Sequence, residues 1–316
     1  MATTFLQRLA ALTERFEHNK AEALLRTAVF AWCLVSTVVM LPVADRIWGP
    51  NAYITPARLT ALGAMEGHRI LFELDLLNTP TFARHYALFL GAYLFFVTLG
   101  LLGKGLRVVP LVVLALFHVL MLKANAVEDG GDRLMTQLLF YLALSSLFRG
   151  VGSPLGNVVR NLSFFSIRVQ LCVVYATAAL SKLTGRLWPG GEALYYVFHT
   201  DEYTWPWIRD LMGNSGALMA LSTYAVLLFQ LSFPFLIWRN PTRRILMFVG
   251  TFLHLQIAIF LGIVSFGFAM IVGYLAFYTE DEAERLAARG ARWSEAALHA
   301  ARRFLARDGR AQERTP

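Results

Sequence analysis

The sequence predicts an all-α fold, a polytopic membrane bundle of about eight spans with both termini cytoplasmic. Three observations carry that expectation. Of the 316 residues, 57% are hydrophobic and only 16% are charged, whereas soluble domains carry about 25% charged residues. The apolar residues fall in continuous blocks, long enough for the ~20-residue helix that crosses a hydrocarbon core. A closed β-barrel would need alternating strands instead. Finally, arginine gathers in alternate connecting segments, as membrane orientation requires.

Residues 1–25 read as a cytoplasmic or interfacial lead-in helix with no cleavable signal peptide. Spans follow near 26–44, 84–103, 106–123, 134–148, 164–182, 216–238, 244–261 and 263–278, making a transmembrane domain over 26–278. The last two come from one apolar run, Ile245 to Tyr278, too long for a single crossing and divided here near Gly262. Residues 279–316 read as a cytoplasmic amphipathic tail that is partly disordered. The inner segments then hold Arg15, Lys20, Arg26, Lys104, Arg107, Arg149, Arg160, Arg239, Arg243 and Arg244, and eight further arginines follow Tyr278. The net charge of +8 is thus assigned to orientation. No basic block interleaves with aromatics, so no nucleic-acid partner is expected, and the partner common to all spans is lipid. Cys33 and Cys172 lie in separate apolar blocks with no metal-type spacing, so neither a disulfide framework nor a metal is expected.

Polar groups inside spans cost about 2.5–3.5 kcal/mol at the bilayer centre and therefore single themselves out. They are His118, Gln170, Tyr175, Gln230, His254 and Gln256, with Lys182 closing the fifth span. Tyr175 and Lys182 stand seven residues apart, two turns along one helix face. Lys182 is the only lysine after Lys123 in a chain that otherwise uses arginine. A snorkelling anchor could be either residue, but a group that must release its proton has to be lysine. Both readings remain open on the residues alone. His118 and His254 read as axial haem ligands, as parts of a polar pocket, or as helix-packing groups. In "VEDGGDRLM", Val127 to Met135, Asp132 is expected to cap the fourth span, beside Glu128 and Asp129. Gly130 and Gly131 there suggest close backbone approach or positive φ. Trp188, Tyr195, Tyr196, Trp205 and Trp207 crowd the segment after Lys182, as an interfacial belt or a lid. With the N-terminus inside, Lys182, this acidic turn and the His68 segment (Glu66 to Asp75) all emerge on the outer face.

The run from Lys182 to Leu194, "KLTGRLWPGGEAL", with Gln170 and Tyr175 before it, resembles the K-L-x-G-x-x-W-x-x-G-x-A-L signature of the horizontally transferred transmembrane (HTTM) domain. That is the membrane domain of vitamin K-dependent γ-glutamyl carboxylases and their bacterial relatives. "FPFLIWRNPTRRILMFVGTFLHLQIAI" is similar to its sixth and seventh spans, His254 included. The resemblance implies a general base at Lys182, which deprotonates a reduced menaquinone or vitamin K-type quinol. It implies catalytic Tyr175 and His254, and cofactor contacts from Gln170, Trp188, Gly191, His118 and Gln230. The carboxylases carry Asn-His in the turn where this chain has Gly-Gly-Asp, leaving His68 or His254 to take that histidine's place, with Asp129 and Asp132 in the substrate loop. A large soluble C-terminal domain is not expected. The "DGGD" turn is closer to the bacterial branch that includes the sporulation-delaying peptide maturation protein B. It implies a multi-pass protein of the bacterial inner membrane acting on a small secreted peptide. The alternatives are a non-enzymatic partner in peptide maturation or export, and a haem or electron-transfer subunit.

Overall fold

The computed structural model describes residues 12–53, 80–124, 127–200, 204–213, 215–293 and 295. His68 and its segment lie outside the described residues. Among those described there is no strand. The helices are α1 (Asn19–Met40), α2 (Ala44–Trp48), α3 (Pro80–Leu101), α4 (Val109–Lys123), α5 (Gly130–Leu147) and α6 (Pro154–Leu183). They continue as α7 (Ala193–Phe198), α8 (Pro206–Gly213), α9 (Gly216–Leu236), α10 (Asn240–Phe260), α11 (Val264–Tyr274) and α12, residues 280–293. Five of them, α1 (counted with its continuation to Trp48), α3, α6, α9 and α10, are long and apolar enough to cross a membrane. Two shorter apolar helices accompany them, α4 and Val264–Phe277. Leu228, Phe235, Phe248, Phe252 and Ile259 all face outward, as lipid-facing positions do. The fold is an all-α polytopic membrane bundle.

Local chemistry sets the helix ends. Ser153 caps α6 by accepting the Gly156 N–H at 3.1 Å, and Pro154 opens the first turn, where its missing donor costs nothing. The division expected near Gly262 is present, since that residue takes φ +68 between α10 and α11. The acidic turn corrects the sequence expectation. Asp129, not Asp132, is the N-cap of α5; its carboxylate accepts the Gly131 and Asp132 N–H groups at 2.6 and 3.2 Å. Asp132 sits at the third helical position and returns the favour, accepting the Asp129 N–H at 2.9 Å. Such a reciprocal box satisfies more of the free N-terminal donors than one cap can. Gly130 and Gly131 are helical, and neither has positive φ. Their function is close approach, because a Cβ on Gly131 would meet the Phe266 backbone at 2.8 Å.

α5 and α11 pack together near the middle of the bundle, with α1 against α11, α6 against α5, α4 against α5, and α9 and α10 completing the other side. Short connections alternate helix direction, so the ends segregate by charge. At one end lie Lys20, Glu22, Arg107, Arg160, Arg243, Glu280 and Glu282, tied across the fold by Arg160–Glu22 at 2.7 Å and Arg243–Glu282 at 3.0 Å. α12 is anchored there. Glu280 accepts the Lys20 and Ala21 N–H groups at 2.8 and 3.0 Å, so the last described helix caps the first. This is why α1 extends back to Asn19, seven residues before the expected span. Lys182, the Asp129 turn and α7 lie at the opposite end of the bundle.

Candidate functional site

α6 carries both Tyr175 and Lys182, separated by about 10 Å along the axis at 1.5 Å per residue. The Tyr175 hydroxyl, fully buried, lies 2.7 Å from His254 Nε2 on α10 and also hydrogen-bonds the Tyr274 hydroxyl on α11. Three helices thus meet at one oxygen. Phe233 packs on the Tyr175 ring with centroids 4.2 Å apart, and Phe229 and Phe266 close the edges of Tyr175 and His254. A tyrosine hydroxyl can donate one hydrogen bond while accepting another. Tyr175 can therefore pass a proton between His254 and Tyr274 without any ring leaving its place.

The close approach of α10 and α11 depends on Gly250, because a Cβ there would run into the Tyr274 ring and hydroxyl. Gly250→Ala is expected to push Tyr274 off Tyr175 and to destabilise the fold by about 1–3 kcal/mol, the usual cost of overpacking. Thermal unfolding in detergent measures this. Gly91→Ala, with no neighbour within 4 Å of the new methyl, is the matched control and should be neutral.

Two polar atoms in this half of the bundle are buried without a hydrogen-bond partner, His254 Nδ1 and Gln230 Oε1. Buried groups normally find partners, and each orphan calls for one. Gln170 is half-buried on α6, five residues before Tyr175 towards the basic end.

Lys182 ends α6 half-buried, its Nζ 4.9 Å from the centre of the Trp188 ring. No carboxylate lies within salt-bridge distance of it among the described residues. Trp188 is held by a turn in which Gly191 takes φ +76 against the Tyr224 ring, and the Tyr224 hydroxyl donates to the Pro189 carbonyl at 2.9 Å. A residue with a Cβ would be strained at that φ and crowded by the ring. Of the aromatic residues expected to crowd this loop, only Trp188 meets Lys182. Tyr195 stacks on His199 at 4.0 Å, while Tyr196, Trp205 and Trp207 are exposed.

His118 stands apart from this arrangement. It lines a groove of about 560 Å³ between α4 and α5, with Leu114, Thr136, Gln137, Phe140 and Tyr141. His254 spends Nε2 on Tyr175, so the structure gives the two histidines different surroundings and does not pair them. Among the described residues no three His, Cys, Asp or Glu side chains converge on a point where a metal could sit. Asp129 and Asp132 are engaged in capping α5.

Sequence reasoning missed Tyr274. It closes an apolar run, where an aromatic reads as an interfacial residue, and only the meeting of α6, α10 and α11 makes it Tyr175's partner. The buried Arg26 and the Glu22–Arg160 pair were also missed, having been counted only as orientation charges.

Comparison with known proteins places this geometry. Residues 154–281 match the HTTM domain family, a segment running from α6 into α12 and holding Gln170, Tyr175, Lys182, Trp188, Gly191, Gln230, His254 and Tyr274. An uncharacterized protein of Bacillus subtilis (strain 168), YitO, is 27% identical over 176 residues, covering 48% of this chain and 54% of the relative. The sporulation-delaying protein SdpB of the same organism is 26% identical over 166 residues, covering 47% of this chain and 51% of the relative. The chain spans about half the length of the curated relatives it matches. No solved structure matches. The Lys182 signature thus lies inside a segment that matches the HTTM domain family, in a chain similar over about half its length to YitO and SdpB.

Proposed function

We propose that the chain matures or modifies a small secreted peptide at the outer face of the bacterial inner membrane. Lys182 is the general base, and a reduced menaquinone or vitamin K-type quinol is the cofactor. The observation that carries this reading is the Lys182 amine itself. It sits half-buried at the end of the family-matched helix, with an aromatic face as its contact and no carboxylate to hold its proton.

The residues present fit a quinol. His254 Nδ1 and Gln230 Oε1 are buried and unpartnered, among Phe229, Phe233 and Phe266, and one hydroxyl of a quinol could meet them while leaving the ring's other hydroxyl for Lys182. Gln170 and Tyr175 share α6 with the base. When bound, the quinol supplies a weakly acidic hydroxyl and a pair of electrons. Lys182 takes the hydroxyl proton at Nζ, and the Trp188 ring face stabilises the ammonium so formed. Tyr175 holds the proton balance of the buried triad through its bonds to His254 and Tyr274.

A second reading is favoured by the exposed rings of Tyr196, Trp205 and Trp207. They suit a non-enzymatic partner that docks a peptide near Lys182. Co-expression with a candidate secreted peptide separates the two. Modification changes the peptide's intact mass, and gentle solvent extraction of the purified protein yields a bound quinone. An unmodified peptide that co-purifies, with no quinone in the extract, overturns the enzymatic reading and supports docking. A Soret band in the purified protein would instead favour the haem alternative.

A further inference from the structure

Glu22 of α1 is buried at the arginine-rich end, and both of its oxygens are already taken. One accepts from Arg160 Nη2 at 2.7 Å and the other from the Ser145 hydroxyl at 3.1 Å. Arg26, one turn further along α1, is only 6% exposed. Its Nε and Nη1 are buried with no hydrogen-bond partner, and so is Nε of Arg160. Arg149, at the end of α5, and Arg160 both lie within electrostatic reach of Arg26. Three guanidinium groups therefore share one carboxylate, whose hydrogen bond from a guanidinium comes from Arg160.

A buried cation without a partner is among the most costly features a fold can carry. Arg149, the neighbouring like charge, is half-exposed, so the group of cations reaches solvent on that side. Guanidinium groups match the oxygens of a phosphate in charge and in planar geometry. The corner formed by α1, the end of α5 and the start of α6 lies at the basic end of the bundle. Basic pockets between helices at that level are suited to anionic headgroups.

We propose that Arg26, Arg149 and Arg160 form a binding site for a phosphate group, supplied by an anionic phospholipid headgroup or by free phosphate. This site is independent of Lys182 and of the reading given for it. The bound phosphate completes the charge balance that Glu22 leaves unfinished.

The test is thermal unfolding of the purified full chain in detergent. Phosphatidylglycerol, phosphatidylcholine or inorganic phosphate is added to the wild type, Arg26→Met, Arg149→Gln and the exposed inner-end control Arg239→Gln. Phosphatidylglycerol is expected to raise the wild-type melting temperature by about 5 °C, with phosphatidylcholine giving no shift. Arg26→Met removes an unpaired buried charge, so it should be no less stable than wild type in phosphatidylcholine while losing the response to phosphatidylglycerol. Arg149→Gln, altering a half-exposed side chain, should lose most of the response, and it decides the matter if Arg26→Met fails to fold. Arg239→Gln should keep it. An equal shift with inorganic phosphate assigns the site to free phosphate; no shift with it assigns the site to lipid. Equal responses to the two lipids without a phosphate effect, or a full response in both Arg26→Met and Arg149→Gln, would overturn the proposal. So would loss of the response in Arg239→Gln, which would reduce it to general surface attraction.

Discussion

Lys182→Arg is expected to lower peptide modification by about 10²–10⁴-fold, the range that general-base catalysis contributes, while leaving expression and unfolding temperature unchanged. The substitution is chosen for what it preserves. Arginine keeps the positive charge, the long apolar stem and the contact with the Trp188 ring. It cannot release its proton at any pH a protein survives. An anchor or a docking charge would tolerate the change, and a base would not. Intact mass of the co-expressed peptide is the readout, taken alongside detergent melting curves for both proteins. Undiminished modification by a well-folded Lys182→Arg protein would remove the catalytic role and leave the docking reading standing.

Glu22→Gln should have the largest effect on stability, costing about 3–5 kcal/mol, the range for breaking a buried ion pair from one side. The amide keeps the shape and can still meet Ser145, but it strips the single negative charge from among Arg26, Arg149 and Arg160. Arg160, only 8% exposed, would then have no charged partner. Adding Arg26→Met to Glu22→Gln should recover part of the loss, because it removes one of the stranded charges; the difference from simple addition is the coupling between the two sites. Melting temperatures of the two single variants and the double variant check this. A Glu22→Gln protein as stable as wild type would show that the pair contributes little.

Much of the bundle was legible because membrane spans are read from composition alone. Each expected span has a described helix, and even the division at Gly262 followed from a run too long for one crossing. Helix ends were less legible. The sequence favours Asp132 as a cap because it directly precedes the apolar run, but the backbone of Asp129 takes the extended conformation a cap needs, and the two aspartates then share the work. α1 starts early because its donors are met by Glu280, some 260 residues away, and no local pattern reports such a partner. The site divides the same way. Lys182, Trp188 and Gly191 lie within ten residues and stand together in the stretch that resembles the HTTM signature. Tyr175, His254 and Tyr274 come from three helices. Two of them drew attention as polar groups in apolar spans, and the third was masked by the frequency of tyrosine at membrane edges. Arg26 was masked more thoroughly, since a basic residue near an inner span end is what orientation alone predicts.

The contact between Glu280 and the opening turn of α1 also has a kinetic consequence. During synthesis the first helix must enter the bilayer long before the ribosome has reached the carboxylate that serves its leading amides. Those amides must be met meanwhile by water or headgroups, and the turn can reach its final form only after Glu280 has been made. Closure of this seam should therefore follow the synthesis of every helix that lies between its two halves.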